Sequence, residues 1–251
     1  MQIHHITLSR KQLDSIPESE RRLLVLMAHA SNELNVLSKL FHFSAKAAST
    51  TPILKEAENT QSMVIGRLLT GKIYECWKLM QAAFFRTGLS KKYESEFDPD
   101  TSKALEALKQ YFGRENLIEK VRNGHAFHYS PDQIDAGYRA LVDGDPLEVY
   151  LAEVNANTVY TFADTVAGRA MLEDIKSGDH HRAFELLVEE TSRAVGRINQ
   201  VIGATMMVCF ETYLGGDLYS LGAKVLEIHG APDSRSVSIP YFVEISEQDD
   251  A

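Results

Sequence analysis

Cysteine is scarce in this sequence, and several common catalytic motifs are missing from it. The two cysteines, Cys76 and Cys209, each lie within an apolar helical pattern, so buried reduced thiols are expected rather than a disulfide framework. The chain has no glycine-rich phosphate loop, no Gly-x-Ser-x-Gly motif and no Cys-x-x-Cys pair. These absences remove the usual support for a P-loop enzyme, a dinucleotide-dependent dehydrogenase, a serine hydrolase or a zinc ribbon.

Long hydrophobic runs are also lacking. The longest, residues 201–210, is about half the length that crosses a bilayer, and residues 1–14 lack the apolar centre and cleavage site of a secretion signal. The chain has 44% hydrophobic and 24% charged residues, as soluble globular proteins do, and its net charge is −9. This negative charge opposes non-specific binding to nucleic acid or anionic membranes. A cytoplasmic protein without a membrane partner is therefore predicted.

Apolar residues recur at steps of three and four along three long stretches, which is the spacing of helices that face neighbours in an antiparallel bundle. The first stretch runs from a cap at Ser15 to a break at residues 49–52, and the others run from about 53 to 87 and from about 179 to 214. Shorter helices are predicted at 102–111, 115–129, 132–142 and 157–178. The expected buried stripes are Leu23, Met27, Ala30, Leu34, Leu37 and Phe41; Ile65, Leu69, Ile73, Cys76, Met80 and Ala83; Val159, Phe162, Val166, Ala170 and Ile175; and Phe184, Leu187, Thr191, Val195, Ile198, Ile202, Thr205 and Cys209.

Segments rich in β-branched residues flank these helices. Residues 2–9 favour a short strand, and residues 224–229 and 236–246 predict a hairpin around the turn at 230–234. Pro240 places the second run at an edge, and the N-terminal strand is able to join the same sheet. Residues 147–156 are compatible with helix or strand. We therefore predict one mainly α domain over residues 1–251, with a helical bundle over about 15–214 and a small β appendage from about 1–9 and 222–246.

Side chains with catalytic chemistry cluster in residues 115–131, where Arg122, Asn123, His125 and His128 occupy a short predicted helix that ends before a proline. Arginine presents a fork of donors that suits phosphate oxygens. Histidine, with a reference pKa of about 6.5, gains or loses a proton near neutrality. In RNA cleavage the histidine would activate the ribose 2′-OH or protonate the leaving oxygen, while arginine stabilises charge on the phosphate. These residue types therefore suit cleavage of RNA without a metal.

The spacing of Arg122 and His128 limits how they act together. Six residues on an ideal helix place the two side chains roughly 120° and 9 Å apart, so they would not hydrogen-bond directly. A break at Gly124 would bring such groups together. A two-fold dimer that brings two copies face to face would do the same.

The run Arg122-Asn-Gly-His-Ala-Phe-His128 resembles the signature of HEPN domains (higher eukaryotes and prokaryotes nucleotide-binding): an arginine, a polar residue, four further residues and a histidine. HEPN domains are helical bundles. Many are metal-independent ribonucleases of toxin–antitoxin and phage-defence systems, and they usually act as dimers with the motif at the shared interface. The resemblance is greatest to bacterial abortive-infection proteins. It implies an RNA substrate, a homodimer, a neutralising antitoxin partner and no cofactor or metal.

Carried over to this sequence, the resemblance assigns Arg122 as the phosphate contact, Asn123 as the polar residue beside it and His128 as the proton-transfer residue. We predict His125 and Lys120 as additional substrate-binding residues. Across residues 101–130, five basic and three acidic side chains leave a local charge of +2, against −11 for the rest of the chain. A modestly basic segment suits a small RNA contact better than a long track.

Three other interpretations stay open. Arg122 could pair with Glu119 or Glu115 on the helix surface, with Asn123 and the histidines merely ending the helix. His125 and His128 could bind a metal from one helix face, although metal sites need three or four protein ligands. The protein could also be a non-catalytic scaffold or regulator that dimerises through its helices. An enzyme requires the motif side chains to be exposed in a cleft.

Overall fold

The chain folds mainly into α-helices, and the computed structural model describes residues 1–45, 51–127, 130–216 and 221–244. Within these ranges, two π-helical turns cover Gln81–Phe85 and Arg122–Ala126, and a 3-10 turn covers Asn155–Asn157. The predicted class, a mainly α helical bundle with a small β appendage, is confirmed. The helices are α1 (Arg10–Ser15), α2 (Glu18–Ser44), α3 (Pro52–Met80), α4 (Leu89–Glu94), α5 (Pro99–Phe112), α6 (Leu117–Val121), α7 (Pro131–Arg139), α8 (Thr161–Ile175) and α9 (His180–Leu214), and the strands are β1 (Gln2–His5) and β2 (Lys224–Glu227).

The predicted apolar stripes of α2, α3 and α9 are buried along most of their length. Leu37, Ile65, Ala83 and Phe184 are the half-buried members. The stripe of α8 contains one wrong residue, Phe162, which is 43% exposed. The helix begins at Thr161, whose buried hydroxyl donates to the Glu148 carbonyl oxygen. Because successive helical residues are turned by about 100°, anchoring Thr161 inward directs Phe162 to solvent.

The described residues form two compact units, and α2, α3 and α9 each contribute to both. The first unit comprises Met1–Asn35, Lys72–Asn116 and Ser192–Asp233. The Trp77 ring is buried in it and stacks on Phe112, with ring centroids 4.7 Å apart and planes 15° from parallel. Offset stacking of this kind adds to the free energy gained by burying the two rings.

The small sheet belongs to this first unit. Strands β1 and β2 pair antiparallel, with Gln2 opposite Glu227 and His5 opposite Lys224. The predicted C-terminal hairpin is wrong, because no strand forms in the described part of its second run, residues 236–244. The backbone of Val243 instead bonds to the side chain of Asn157, which accepts from the Val243 N–H at 3.1 Å and donates to its carbonyl at 2.7 Å.

The second unit comprises Val36–Gly71, Leu117–Thr191 and Ser234–Ala251, and it contains the motif segment. Its core includes the fully buried Val121, Met171 and Leu187. Residues 147–156, which the sequence left open between helix and strand, are irregular, apart from the Tyr150–Val159 bridge and the start of the 3-10 turn. The half-buried residues that pack against the core of Val121, Met171 and Leu187 are Met63, Leu117, Leu172, Ile175 and Phe184.

Candidate functional site

The motif segment is not one regular helix. Helix α6 ends at Val121, and the five residues Arg122–Ala126 form a π-helical turn. The helix predicted over residues 115–129 thus begins later, at Leu117, and is π-helical from Arg122 to Ala126. This irregular turn contains Gly124, where the sequence left a break open. Asn123 and Gly124 both have low helix propensity, so the wider turn costs little there, and such turns occur often at functional sites. His128, the predicted proton-transfer residue, lies outside the described residues.

Arg122 and Asn123 interact directly on the π-helical turn. The Arg122 Nη1 donates to the Asn123 Oδ1 at 3.1 Å. Asn123 is exposed and Arg122 is half-buried. The pair therefore places a guanidinium at the surface with one of its donors already oriented by a neighbouring amide.

Lys120, one of the two predicted substrate-binding residues, is exposed near the end of α6. Its Nζ donates to the carbonyl oxygen of Asp174 in the last turn of α8. A cation at this position satisfies a terminal carbonyl and complements the negative end of the helix dipole. Lys120 thus has a structural contact besides the predicted substrate contact.

His125, the second predicted substrate-binding residue, is turned into the protein. Its side chain is only 4% exposed, and its Nε2 lies 2.8 Å from the Asp174 Oδ2. Burial lowers the pKa of His125 below its usual 6.5, Asp174 opposes this by favouring the charged form, and Arg67 and Lys120 lower the pKa further. A neutral imidazole that donates from Nε2 to Asp174 is therefore expected near pH 7.

Replacing Asp174 with asparagine is expected to lower the pKa of His125 further, because the variant loses the carboxylate that favours the imidazolium. An NMR titration of the imidazole C–H resonances, assigned with His125→Gln, measures this shift. As the pH falls, the unfolded chain binds a proton at His125 before the folded chain does. The contribution of neutral His125 to stability is therefore complete above pH 6.5 and declines as the pH falls towards the lower native pKa. A rise of the His125 pKa in Asp174→Asn would contradict the pairing.

A groove of about 630 Å³ lies beside the π-helical turn within the second unit. Helix α3 supplies Val64, Arg67 and Leu68 to its lining, α7 supplies Ile134, and the motif segment supplies residues 124–127, ending at Phe127. The four large apolar side chains among these are 37% to 46% exposed. This apolar area is available to a ligand.

One ion pair crosses the lining of the groove. The Arg67 Nη2 lies 3.0 Å from the Asp164 Oδ1 on α8, and both side chains remain partly exposed. Their formal charges cancel, so the groove combines apolar walls with a neutral ion pair and the polar side chains of His125, Ser130 and Gln133. The sequence reasoning did not single out Arg67 or Asp164, because they are 97 positions apart and neither belongs to a motif.

The Phe127 ring in the groove wall occupies space that is open because residue 71 is a glycine. A Cβ atom at Gly71 would lie 2.4 Å from Phe127 Cε2 and 2.5 Å from Cζ. Such distances show that the ring lies directly against the backbone of α3, so its position depends on the missing side chain of Gly71. This placement was also not apparent from the sequence, in which Gly71 appears only as a glycine inside a helical pattern.

No protein-family model matches this chain, and no curated protein or solved structure matches it significantly. In the four described ranges, no three histidine, cysteine, aspartate or glutamate side chains are grouped to hold a metal ion. None of the helices within those ranges combines the length and apolar character that crossing a bilayer requires. The chemistry of the site is therefore the basis for assigning a function.

Proposed function

We propose that this protein is a HEPN-like, metal-independent endoribonuclease that acts as a homodimer. The observation that carries the proposal is the hydrogen-bonded Arg122–Asn123 pair at the surface of an irregular turn, within a mainly α fold and the sequence motif that ends in His128. A surface guanidinium with an oriented donor suits a phosphate oxygen. In the cytoplasm such an enzyme would serve as a toxin or phage-defence component that an antitoxin partner restrains.

The proposed reaction is a transesterification at one phosphate of the RNA strand. The ribose 2′-oxygen attacks phosphorus while its proton passes to a neutral histidine, and the P–O5′ bond breaks. The leaving oxygen receives a proton, which gives a 2′,3′-cyclic phosphate and a 5′-hydroxyl end. Arg122 stabilises the charge that develops on the non-bridging oxygens, and Asn123 holds the guanidinium in place.

This reaction needs one group that accepts a proton and another that donates one, and a homodimer would provide both. One His128 side chain accepts the 2′-OH proton, and a protonated histidine is needed on the opposite side for the leaving oxygen. A two-fold interface would bring two copies of the motif together and so supply both. His125 does not fit either role as placed, since its side chain is buried against Asp174.

Cleavage of mixed cellular RNA in EDTA tests the proposal with four purified proteins: the wild type, Arg122→Ala, His128→Ala and Arg139→Ala. Arg139 is an exposed arginine of α7 outside the motif, so it is the matched control. Both motif variants are expected to lose about 100-fold or more in rate, while Arg139→Ala retains the wild-type rate. Circular dichroism establishes that every variant is folded.

Equal cleavage by all four proteins would indicate a contaminating ribonuclease and overturn the assignment. So would cleavage that EDTA abolishes. Cyclic phosphate ends on the products would support attack by the 2′-oxygen, whereas 5′-phosphate ends would require a different mechanism.

The second candidate is a non-catalytic scaffold or regulatory protein that dimerises through its helices. The intramolecular pairing of His125 with Asp174 favours it, because a buried imidazole paired in this way stabilises a fold. A stable dimer in sedimentation, together with no RNA cleavage by any of the four proteins, would select this candidate.

A further inference from the structure

We propose that the groove beside the π-helical turn binds a nucleobase. The proposed ribonuclease function supplies the source of that base, an RNA strand whose phosphate contacts Arg122, and in this respect the inference rests on that function. The volume of about 630 Å³ lies within the range typical of small-ligand sites, which combine apolar walls with a few polar groups. Residues 124–127 of the groove occupy the four unspecified positions of the HEPN-like motif, and the remaining lining residues lie outside it.

The walls of the groove suit a flat ring. Phe127 presents an aromatic side chain that is 42% exposed, and Val64, Leu68 and Ile134 add aliphatic surface. Contact with the backbone at Gly71 restricts the Phe127 ring on one side before any ligand binds. An aromatic side chain restricted in this way stacks on a base at a reduced cost in conformational entropy.

The charges of the groove disfavour phosphate as the group bound inside it. The positive charge of Arg67 is neutralised by Asp164 at 3.0 Å. His125 faces Asp174 and is expected to be neutral. A neutral ring with hydrogen-bonding groups on its edge matches this lining, since Arg67 and Asp164 offer a donor and an acceptor side by side.

The position of the groove relative to Arg122 agrees with one nucleotide spanning both. Gly124 lines the groove and is two residues from Arg122, so their Cα atoms are at most about 8 Å apart. If Arg122 contacts the phosphate of a nucleotide, the base of that nucleotide or of the adjacent one lies within reach of Phe127. The π-helical turn therefore connects the proposed phosphate contact to the proposed base contact.

Titration of the four ribonucleosides and ribose 5-phosphate, followed by ligand-observed NMR and calorimetry, tests the groove without any cleavage step. The proteins are the wild type, Phe127→Ala, Leu68→Ala and Phe162→Ala. Phe162 is 43% exposed, against 42% for Phe127, but it does not line the groove, so its variant is the matched control. Leu68→Ala is a second groove variant in case Phe127→Ala fails to fold.

We expect saturable binding of at least one nucleoside to the wild type, whereas Phe127→Ala should not change any binding of ribose 5-phosphate at Arg122. Phe127→Ala is expected to weaken nucleoside binding roughly 5- to 100-fold, which corresponds to the loss of one stacked base, and Leu68→Ala to weaken it to a smaller extent. The control should change it less than twofold. Absence of nucleoside binding, or equal effects of the Phe127 and Phe162 variants, would overturn the proposal.

The two proposals fail independently. Nucleoside binding at Phe127 without RNA cleavage would retain the base site and reject the ribonuclease, whereas Arg122-dependent cleavage without nucleoside binding would do the reverse. The affinities of Arg122→Ala for a dinucleoside monophosphate and for a mononucleotide are compared to identify the source of the base. Tighter binding of the dinucleotide indicates an RNA strand, and equal binding indicates a free nucleotide and overturns the assignment to RNA.

Discussion

Replacing Gly137 with alanine is expected to lower the free energy of unfolding by about 3 kcal/mol or more. An added Cβ atom would lie 2.1 Å from the Val166 carbonyl oxygen and 3.0 Å from its carbonyl carbon. Both are backbone atoms of α8, so no side-chain rotation relieves the overlap. The variant must therefore separate α7 from α8, which exposes apolar surface in the second unit.

Urea denaturation followed by circular dichroism measures this effect, with Gly196→Ala as the control. Gly196 lies inside α9 with nothing within 4 Å of an added Cβ. Alanine there should raise stability by up to about 1 kcal/mol, because glycine is the poorer helix former. Stability changes of the same sign and size in the two variants would show that α7 does not pack on α8 through Gly137. Since α7 holds Ile134 in the groove, Gly137→Ala should also weaken nucleoside binding.

Replacing Glu20 with glutamine is expected to destabilise the protein by about 2–3 kcal/mol at pH 7. Glu20 is buried in the first unit, where it accepts hydrogen bonds from the hydroxyls of Tyr93 and Tyr213 and from Lys92 Nζ at 3.0 and 3.1 Å. The glutamine amide retains one acceptor and removes the charge opposite Lys92. Lys92 is 40% exposed, so water compensates part of the loss.

The effect of Glu20→Gln should depend on pH. Burial raises the pKa of Glu20, but the hydrogen bonds from Tyr213, Tyr93 and Lys92 outweigh it and bring the pKa below its ordinary 4.5. A carboxylate with a lowered native pKa stabilises the fold fully above the unfolded value and loses that contribution as pH falls through the native value. The stability difference from wild type should therefore be complete near pH 7 and shrink below pH 4.5.

Denaturation at a series of pH values tests this expectation, with Glu18→Gln as the matched control on the same helix. Glu18 forms an exposed pair with Arg22, so its replacement should cost less than about 1 kcal/mol. A Glu20→Gln effect as small as that of Glu18→Gln, or one that grows towards low pH, would contradict the buried network.

The sequence alone determined the helical content and the buried faces of the long helices. Residues such as Met27, Leu34 and Ile198 recur with the period of the α-helix, and a period is a local property that needs no knowledge of the partner. The same holds for β1, which was predicted from β-branched residues. The hairpin prediction failed because the pairing of a strand is not a local property. The backbone N–H and carbonyl of Val243 instead form hydrogen bonds with the side chain of Asn157.

The candidate site divides in the same way. Arg122 and Asn123 are adjacent in the chain, so the sequence was sufficient to place them together. The burial of His125 against Asp174, the Arg67–Asp164 pair and the contact of Phe127 with Gly71 join residues 49, 97 and 56 positions apart. Only the packing of α3, α8 and the π-helical turn decides such contacts, because they depend on how helix faces meet and no local pattern of residues encodes that.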